Sequence, residues 1–373
     1  MLPRNPLDAS TRHGSRIPSL DGLRAISILL VILAHLSGSY RFFDLGSLLS
    51  NAMGELGVRT FFVISGFLIT SLLLKDKMTY GRIVLRDFYV RRIARIFPAF
   101  YVYLLVLTAA AGLGLIVLKS KDLAEAATYT VDYFAWSTQS NYVRHIWSLS
   151  VEEQFYLIWP SALVFLGVVR ARYCAAFIVV ASPFYRLIVW WVIPSFRSTL
   201  DRRFDCVADC IAVGCLLASV GSNLAFRPRY MSFLNSFVFG LVPIIVITAA
   251  LAANHPKIYY GAAQTVINIG LALMIHRSIL LKTSWSGVFL NSVPVAYIGT
   301  LSYSLYLWQQ PLLSEQAGVW RFAFPYNLVL TFGAALFSFY AVEQPLRSAI
   351  TARFQKRQVL EVRRDGDERG TGN

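Results

Sequence analysis

Ten predominantly apolar segments alternate with polar connections along the chain. A helix needs about 20 mostly apolar residues to cross a bilayer, and most of these segments approach that length, although the sixth is shorter. The pattern therefore predicts an all-α fold, a polytopic membrane helix bundle of about ten transmembrane helices. The predicted spans are Leu20–Leu36, Leu56–Leu74, Ile96–Leu118, Ile146–Val169, Cys174–Ile193, Val207–Val220, Ser232–Ala253, Tyr259–Ile275, Val293–Leu313 and Phe324–Leu346.

Lysine and arginine residues are distributed unevenly among the connections. With both termini cytoplasmic, the cytoplasmic segments carry more than twice as many of these residues as the outer ones, as the positive-inside rule requires. We therefore expect both termini in the cytoplasm. The predicted regions are a cytoplasmic N-terminal segment at 1–19 without a cleaved signal peptide, a transmembrane domain at 20–346, and a basic, disordered cytoplasmic tail at 347–373.

Composition supports the membrane assignment. Of 373 residues, 56% are hydrophobic and only 15% charged, which excludes a soluble globular domain and an intrinsically disordered chain. The net charge of +15 is expected to orient the chain and to contact anionic lipids, because no nucleic-acid-binding motif accompanies it. The four cysteines lack zinc-site spacing, so no metal site is predicted.

The first predicted span contains two ionisable residues, Arg24 and His35. A separation of eleven residues places both side chains on one helix face, about 16 Å apart along the axis. Arg24 fits either a snorkelling interfacial arginine or a functional cation. His35 fits either a helix-packing hydrogen bond or a proton acceptor, and we favour the second because imidazole exchanges protons near neutral pH.

A basic connection follows the second span. Arg91, Arg92 and Arg95 precede Pro98 at the cytoplasmic mouth of the third predicted span. They fit either a positive-inside anchor or a clamp for phosphates, whose oxygens match the guanidinium fork. In the second span, Ser65 and the glycine after it fit either close helix packing or a position beside a ligand.

Three ionisable residues mark the start of the fourth span. His145, Glu152 and Glu153 are predicted at its outer mouth, and adjacent glutamates cannot share one helix face. Because His35 is also expected in the outer half, a carboxylate could orient its imidazole across the spans.

Polar residues in the later spans have less specific interpretations. Asp205 and Asp209 lie one turn apart beside Arg202 and Arg203, which favours structural ion pairs. The remaining polar interruptions, which could all be packing features, are Trp308, Gln309, Gln310 and Glu343.

Taken together, these sequence blocks resemble the acyltransferase-3 family of bacterial membrane proteins, which O-acylate carbohydrates and some lipids or antibiotics. The resemblance extends over about residues 17–347. The blocks that carry it are Arg24 with His35, FFVISGFLIT (61–70), RRIARIFP (91–98), HIWSLSVEEQFYLIWP (145–160), Asp209 before Gly214, LSYSLYLWQQP (301–311) and Glu343-Gln344-Pro345.

The resemblance implies a multi-pass protein of the bacterial plasma (inner) membrane. It further implies acyl transfer from cytoplasmic acyl-CoA, expected to be acetyl-CoA, to a hydroxyl of a carbohydrate or glycolipid. His35 is expected to act as general base, oriented by Glu152. The residues implied for catalysis are His35, Glu152, Arg24 and His145, and those for donor binding are Arg91, Arg92, Arg95 and Ser65.

Two departures from the family pattern affect these expectations. Family members often carry histidine where this chain has Gln309, so His35, with help from His145, is expected to perform the proton transfer. Some relatives carry an added extracytoplasmic esterase-like domain, whereas the expectation here is acceptor handling by the membrane domain or a partner. A glycan or lipid carrier or flippase is the main alternative, and a non-catalytic membrane scaffold is the other. Neither acceptor nor oligomeric state follows from the sequence.

Overall fold

The computed structural model describes residues 17–37, 39, 42–313 and 323–354, and these residues form helices joined by turns, without a β-strand. The all-α prediction is therefore confirmed. The helices are α1 Pro18–Leu36, α2 Ser47–Tyr80, α3 Leu85–Gly112, α4 Ser120–Ala127, α5 Ile146–Val192, α6 Phe204–Ala225, α7 Pro228–Asn235, α8 Leu241–Ala250, α9 Pro256–Ile258, α10 Gln264–Leu280, α11 Trp285–Leu290, α12 Val293–Leu313 and α13 Tyr326–Phe337.

Eight helical segments in the described ranges are long and apolar enough to cross a membrane, which supports the multi-pass prediction. One of them, α5, has 47 residues and would measure about 70 Å if continuous, roughly twice the apolar thickness of a bilayer. Gly167 breaks it with φ 78° and ψ 163°, a backbone conformation open mainly to glycine. The two halves correspond to the fourth and fifth predicted spans.

The ninth predicted span coincides with α12, which has 21 residues and therefore a length of about 31 Å. Tyrosine, serine and glutamine side chains interrupt its apolar sequence, and it is not among the eight apolar helical segments. All ten predicted segments thus lie mainly in helices, which is consistent with a polytopic bundle.

Two predicted boundaries are wrong. The third span was expected to reach Leu118, but α3 ends at Gly112, where Gly114 adopts a positive φ of 70°. The seventh was expected to begin at Ser232, but the apolar helical segment begins at Phe237, after the short α7. Both errors arose because apolar residues continue past the turns that end the helices.

The chain ends were predicted to be polar and non-helical. Helical structure continues through residue 354, so residues 347–354 of the predicted disordered tail are helical. The predicted N-terminal segment lies outside the described residues except for 17–19, and so does the tail from residue 355. The cytoplasmic location of both termini stays a prediction.

Helices α2 and α6 touch backbone to backbone. A Cβ atom built at Gly66 would overlap the carbonyl oxygen of Ile211, and one built at Gly214 would overlap that of Val63. Small residues at membrane-helix interfaces allow such approach. The packing interpretation is therefore correct for Gly66, while the neighbouring Ser65 faces a cavity.

We expect Gly214→Ala to lower the free energy of unfolding by about 1–3 kcal/mol, because the added methyl must push the two helices apart. Gly333→Ala is the matched control, since a Cβ there has no neighbouring atom within 4 Å. The control should be neutral or stabilising by up to about 1 kcal/mol. Unfolding by sodium dodecyl sulfate in mixed micelles measures both variants. Equal stability of the two would contradict the tight α2–α6 contact.

A buried ion pair lies between α5 and α6. Arg186 Nη1 lies 3.0 Å from Asp209 Oδ2, and both side chains are fully buried. The sequence had suggested Arg202 and Arg203 as partners for this region's aspartates; Arg203 does pair with Asp205 at 3.1 Å, but Asp209 faces inward to Arg186. The inward turn places Asp209 on the α6 face that packs against α5.

Candidate functional site

Two adjoining cavities open among α1, α2, α3, α5 and α12. The first has a volume of about 660 Å³ including its mouth. Its wall combines apolar side chains with arginine, glutamate, serine and tyrosine. The polar residues that line it are Arg24, Ser65, Arg92, Arg95, Ser148, Glu152, Ser302, Tyr303 and Tyr306.

The second cavity has a volume of about 950 Å³ and an unusually basic wall. It shares Arg24, Ser65, Arg92 and Arg95 with the first cavity, so the two cavities adjoin at these residues. The structure therefore brings together all four residues predicted to bind the donor, and adds Arg24. The arginines that line this second cavity are Arg24, Arg91, Arg92, Arg95 and Arg347.

Arg347 was missed as a cavity residue because it follows the last predicted span. The chain after α13 continues as helix and carries Arg347 back to the start of α3. A basic residue after the terminal Glu-x-Pro block was visible in the sequence. Only the packing of the last span against α3 could have placed it in the cavity.

Arg92 is bound by protein carboxylates. Its Nη2 lies 3.0 Å from Glu153 Oε1 and 3.4 Å from Glu152 Oε2. The guanidinium carbon also sits 3.6 Å from the centroid of the Tyr156 ring, a cation–π contact. Two carboxylates already compensate the Arg92 charge, so its first role is to fix the cavity wall.

Arg95 has different surroundings. In the described part of the chain, its guanidinium has no hydrogen bond or ion pair, while Arg24, Arg92 and Arg347 lie close enough to repel it. Glu343 is the nearby carboxylate, and it accepts a hydrogen bond from the Ser304 hydroxyl at 3.0 Å. The result is an excess of positive charge facing open space, which suits an anion carrying several negative charges.

Arg91 lies at the solvent-exposed edge of this basic wall. It pairs with Asp76 at 2.9 Å, and 42% of its side chain is exposed. A surface pair of this kind contributes little stability and exchanges partners readily. Arg91 can therefore contact an incoming anion.

Glu152 is positioned by groups of the cavity wall. Its Oε1 accepts a hydrogen bond from the Ser65 hydroxyl at 2.8 Å, and its Oε2 accepts one from the Tyr156 hydroxyl at 3.2 Å. These contacts correct the expectation that Glu152 orients His35. The glutamate belongs to the basic cavity.

The meeting of Arg92 and Glu152 also corrects their predicted separation at opposite membrane surfaces. Arg92 is about 10 Å inside α3, and Glu152 is about 9 Å inside α5, at 1.5 Å per residue. These helices run in opposite directions, so residues near their two starts would be far apart if both lay at the helix ends. Arg92 and Glu152 instead lie some way inside their helices and meet within the bundle.

His35 lies in the last turn of α1, and part of its surface is accessible. Its Nδ1 is 2.8 Å from the carbonyl oxygen of Val31. Because a carbonyl can only accept, Nδ1 carries the proton, and Nε2 of the neutral ring keeps its lone pair. The side chain of Gln310 reaches the same ring from α12. This tautomer suits a general base that acts through Nε2.

His145 is near His35, as the sequence reasoning required, since the two rings interact electrostatically. It is 4% exposed and lies between the rings of Tyr103 and Tyr306, at centroid distances of 5.8 Å and 5.5 Å. Burial lowers the pKa of His145 to about 3, so the ring is neutral at physiological pH.

Tyr306 forms the boundary between the basic cavity and the histidines. It lines the first cavity and donates a hydrogen bond to the carbonyl oxygen of His145 at 2.7 Å, and it also bonds to the Ser148 hydroxyl. No feature of the sequence singled out Tyr306, which lies in the late block near the more conspicuous tryptophan and glutamines.

Helix α1 carries both Arg24, which lies at the basic cavities, and His35, which lies near His145. Arg24 lines both cavities, and His35 lies about 16 Å farther along the axis of α1. A ligand bound by the arginines through one end would need an extended, flexible arm to reach the histidine. Across the described ranges, no group of three or more histidine, cysteine or acidic side chains is placed to hold a metal ion.

Comparisons with known proteins agree with this arrangement. A family model described as an acyltransferase domain matches residues 17–343. A peptidoglycan O-acetyltransferase of Listeria monocytogenes is 29% identical over 374 residues, covering 91% of this chain and 57% of that protein. A candidate O-acetyltransferase of Staphylococcus aureus strain COL is 30% identical over 362 residues, covering 89% and 57%.

A candidate peptidoglycan O-acetyltransferase of Bacillus subtilis is 28% identical over 387 residues, covering 94% of this chain and 58% of that protein. The chain thus spans less than two thirds of the length of these relatives. No solved structure matches it. Because the family model covers most of the chain, including every block that carried the resemblance except the end of the terminal Glu-x-Pro, the chain belongs to the acyltransferase-3 family of membrane proteins.

Proposed function

We propose that the protein transfers an acetyl group from cytoplasmic acetyl-CoA to a hydroxyl of a carbohydrate or glycolipid. The observation that carries this proposal is the pair of adjoining cavities, of which the second is lined by five arginines. One of these arginines, Arg24, lies on the same helix as His35. The names of the relatives support an acetyl donor and a cell-wall carbohydrate as acceptor.

The basic cavity fits the chemistry of coenzyme A. Its nucleotide end carries several phosphate charges, which Arg95, Arg91, Arg347 and Arg24 would bind through charge-assisted hydrogen bonds. Its pantetheine arm is long, flexible and uncharged, which suits the first cavity with its mixed wall. The arm would carry the thioester past Arg24 and Tyr306 toward His35.

In the proposed reaction, Nε2 of His35 removes the proton from the acceptor hydroxyl. The hydroxyl oxygen attacks the thioester carbonyl carbon, and the carbon–sulfur bond breaks. The leaving thiolate takes the proton from Nε2 of His35, which releases coenzyme A and restores the base. Arg24 and His145 contribute to this site in the proposal, Arg24 by its positive charge along the donor path and His145 by its electrostatic interaction with His35. The protein acts in the bacterial plasma (inner) membrane, in contact with its lipids.

We expect Arg95→Gln to weaken acetyl-CoA binding by about 10- to 100-fold, because a charge-assisted hydrogen bond contributes about 1.5–3 kcal/mol. The variant also removes repulsion within the cluster, so the fold should be kept. Binding of acetyl-CoA to purified protein in nanodiscs, followed by calorimetry, measures the effect.

Arg170→Gln is the matched control, since Arg170 is exposed and lies beside the break in α5. It removes the same charge from the protein without touching the cavity. Equal affinities of the Arg95 and Arg170 variants for acetyl-CoA would contradict the proposed donor site and favour a carrier or flippase.

A further inference from the structure

Gln310 faces His35 from the neighbouring helix α12. The glutamine is 7% exposed, and its side chain comes within hydrogen-bonding reach of the imidazole. Its Oε1 is buried without a hydrogen-bond partner. A buried unpartnered amide oxygen costs about 1–3 kcal/mol, so this position calls for an explanation beyond packing.

The position of Gln310 relative to His35 is fixed by contacts between α1 and α12. At one end, the Ser39 hydroxyl donates to the carbonyl oxygen of Leu313 at 3.0 Å. At the other, the Ser19 hydroxyl donates to Asn291 Oδ1 at 2.9 Å. Between them, the backbones approach so closely that a Cβ at Gly299 would overlap α1. The two helices therefore cannot slide past each other.

A glutamine is chemically suited to a neutral histidine base. Because Nδ1 of His35 donates to Val31, Nε2 is the ring nitrogen that remains available to a neighbouring side chain such as Gln310. The carboxamide can donate through its nitrogen to the neutral ring or accept through its free oxygen from the protonated ring. It carries no charge, so it does not hold the proton on the ring as a carboxylate would.

We propose that Gln310 is a positioning residue that orients the His35 ring without adding a negative charge beside it, so that Nε2 is ready to accept the proton of the acceptor hydroxyl. This inference rests on the proposed function. It also explains why the helix that contacts α1 most closely carries a polar side chain at this depth of the bundle.

The charged groups around His35 leave Gln310 as its specific polar partner. α12 contains no charged residue. From α2, Glu55 and Arg59 pair with each other, and in the segment before α2 Asp44 accepts a hydrogen bond from a backbone N–H of its own turn. His145, before α5, is the titratable group that acts on the ring, and its own burial keeps it neutral.

The test compares Gln310→Met and Gln310→Glu with wild type in acetyl transfer from acetyl-CoA, measured between pH 5 and 9 in nanodiscs. The Met variant keeps the size of the side chain and should lower kcat about 10- to 100-fold with KM for acetyl-CoA unchanged. The Glu variant should move the acid limb of the pH–rate profile upward by one pH unit or more, because a carboxylate favours the protonated ring.

Gln309→Met and Gln309→Glu are the matched controls. Gln309 is the adjacent, fully buried glutamine, and its side chain has no hydrogen-bond partner in the described structure. These variants test whether any substitution in this turn of α12 lowers kcat or shifts the pH–rate profile as the Gln310 variants are expected to do. The expected pH–rate profile of Gln309→Glu is that of wild type.

The outcomes separate this inference from the proposed function. If wild type transfers acetyl groups but Gln310→Met keeps its kcat, or Gln310→Glu keeps the wild-type pH profile, the role of Gln310 is wrong and the proposed reaction stands. Equal pH shifts in Gln309→Glu and Gln310→Glu would also overturn it. If wild type neither binds nor consumes acetyl-CoA, the proposed function itself fails.

Discussion

Replacing His35 by glutamine is expected to slow acetyl transfer by about 10²- to 10⁴-fold, the usual effect of losing a general base. Glutamine can still form hydrogen bonds with Val31 and Gln310, so the packing of α1 is kept. It cannot accept a proton at Nε2. Label transfer from radiolabelled acetyl-CoA to the acceptor measures the loss.

Donor binding provides the internal control for this variant. The arginines that line the second cavity lie toward the other end of α1, so the affinity of His35→Gln for acetyl-CoA should equal that of wild type. A variant that transfers acetyl groups at close to the wild-type rate would remove His35 from the reaction. Loss of donor binding together with activity would instead indicate a structural role.

Replacing Arg186 by methionine is expected to lower the free energy of unfolding by about 3–5 kcal/mol, the cost of leaving one charge of a buried pair uncompensated. The guanidinium is fully buried and donates to the Tyr260 and Cys206 carbonyl oxygens, both at 2.9 Å, and to the Thr265 hydroxyl at 2.8 Å. All these acceptors lose a donor in the variant. Unfolding by sodium dodecyl sulfate in mixed micelles measures the change.

The double variant Arg186→Met with Asp209→Asn tests the electrostatic part of this prediction. Asn268 donates to Asp209 Oδ2 at 3.1 Å and can still donate to the asparagine oxygen. The double variant should therefore be more stable than Arg186→Met alone. If adding Asp209→Asn lowers stability further, the uncompensated charge is not the cause of the loss.

The bundle was largely predictable because its signal is local. Each span is recognisable in the sequence as a run of apolar residues, and the ten predicted segments lie mainly in helices. The boundaries at Gly112 and Phe237 were missed because a turn can be as apolar as the helix it ends. Gly167, which divides α5, acts through its backbone torsion, and hydropathy does not report torsions.

The residues of the site were easier to predict than their partners. Arg92, Arg95 and Ser65 do line one space, as their chemistry suggested. The partner of Glu152 could not be predicted, because sequence position placed it near the outer surface, whereas long side chains carry Arg92 and Glu152 to each other. The charge of Glu152 alone does not indicate which of the surrounding cationic side chains is its ion-pair partner.

Gln310 shows what helix packing adds to the sequence pattern. It was visible as a polar interruption of an apolar span, and a structural role was the simplest interpretation. Its significance depends on its distance from a histidine 275 residues earlier in the chain. That distance is set by the contact between α1 and α12. The small residues at this contact do not reveal from the sequence which helix packs against them.

The most direct test of the account follows radiolabelled acetyl-CoA with purified wild-type protein in nanodiscs and an extract of bacterial glycans and lipids. We predict saturable binding of acetyl-CoA, loss of the thioester, and appearance of the label as an ester on a carbohydrate acceptor. Acetyl-CoA that remains unbound and intact, while the protein moves glycan or lipid across the membrane, would contradict the account.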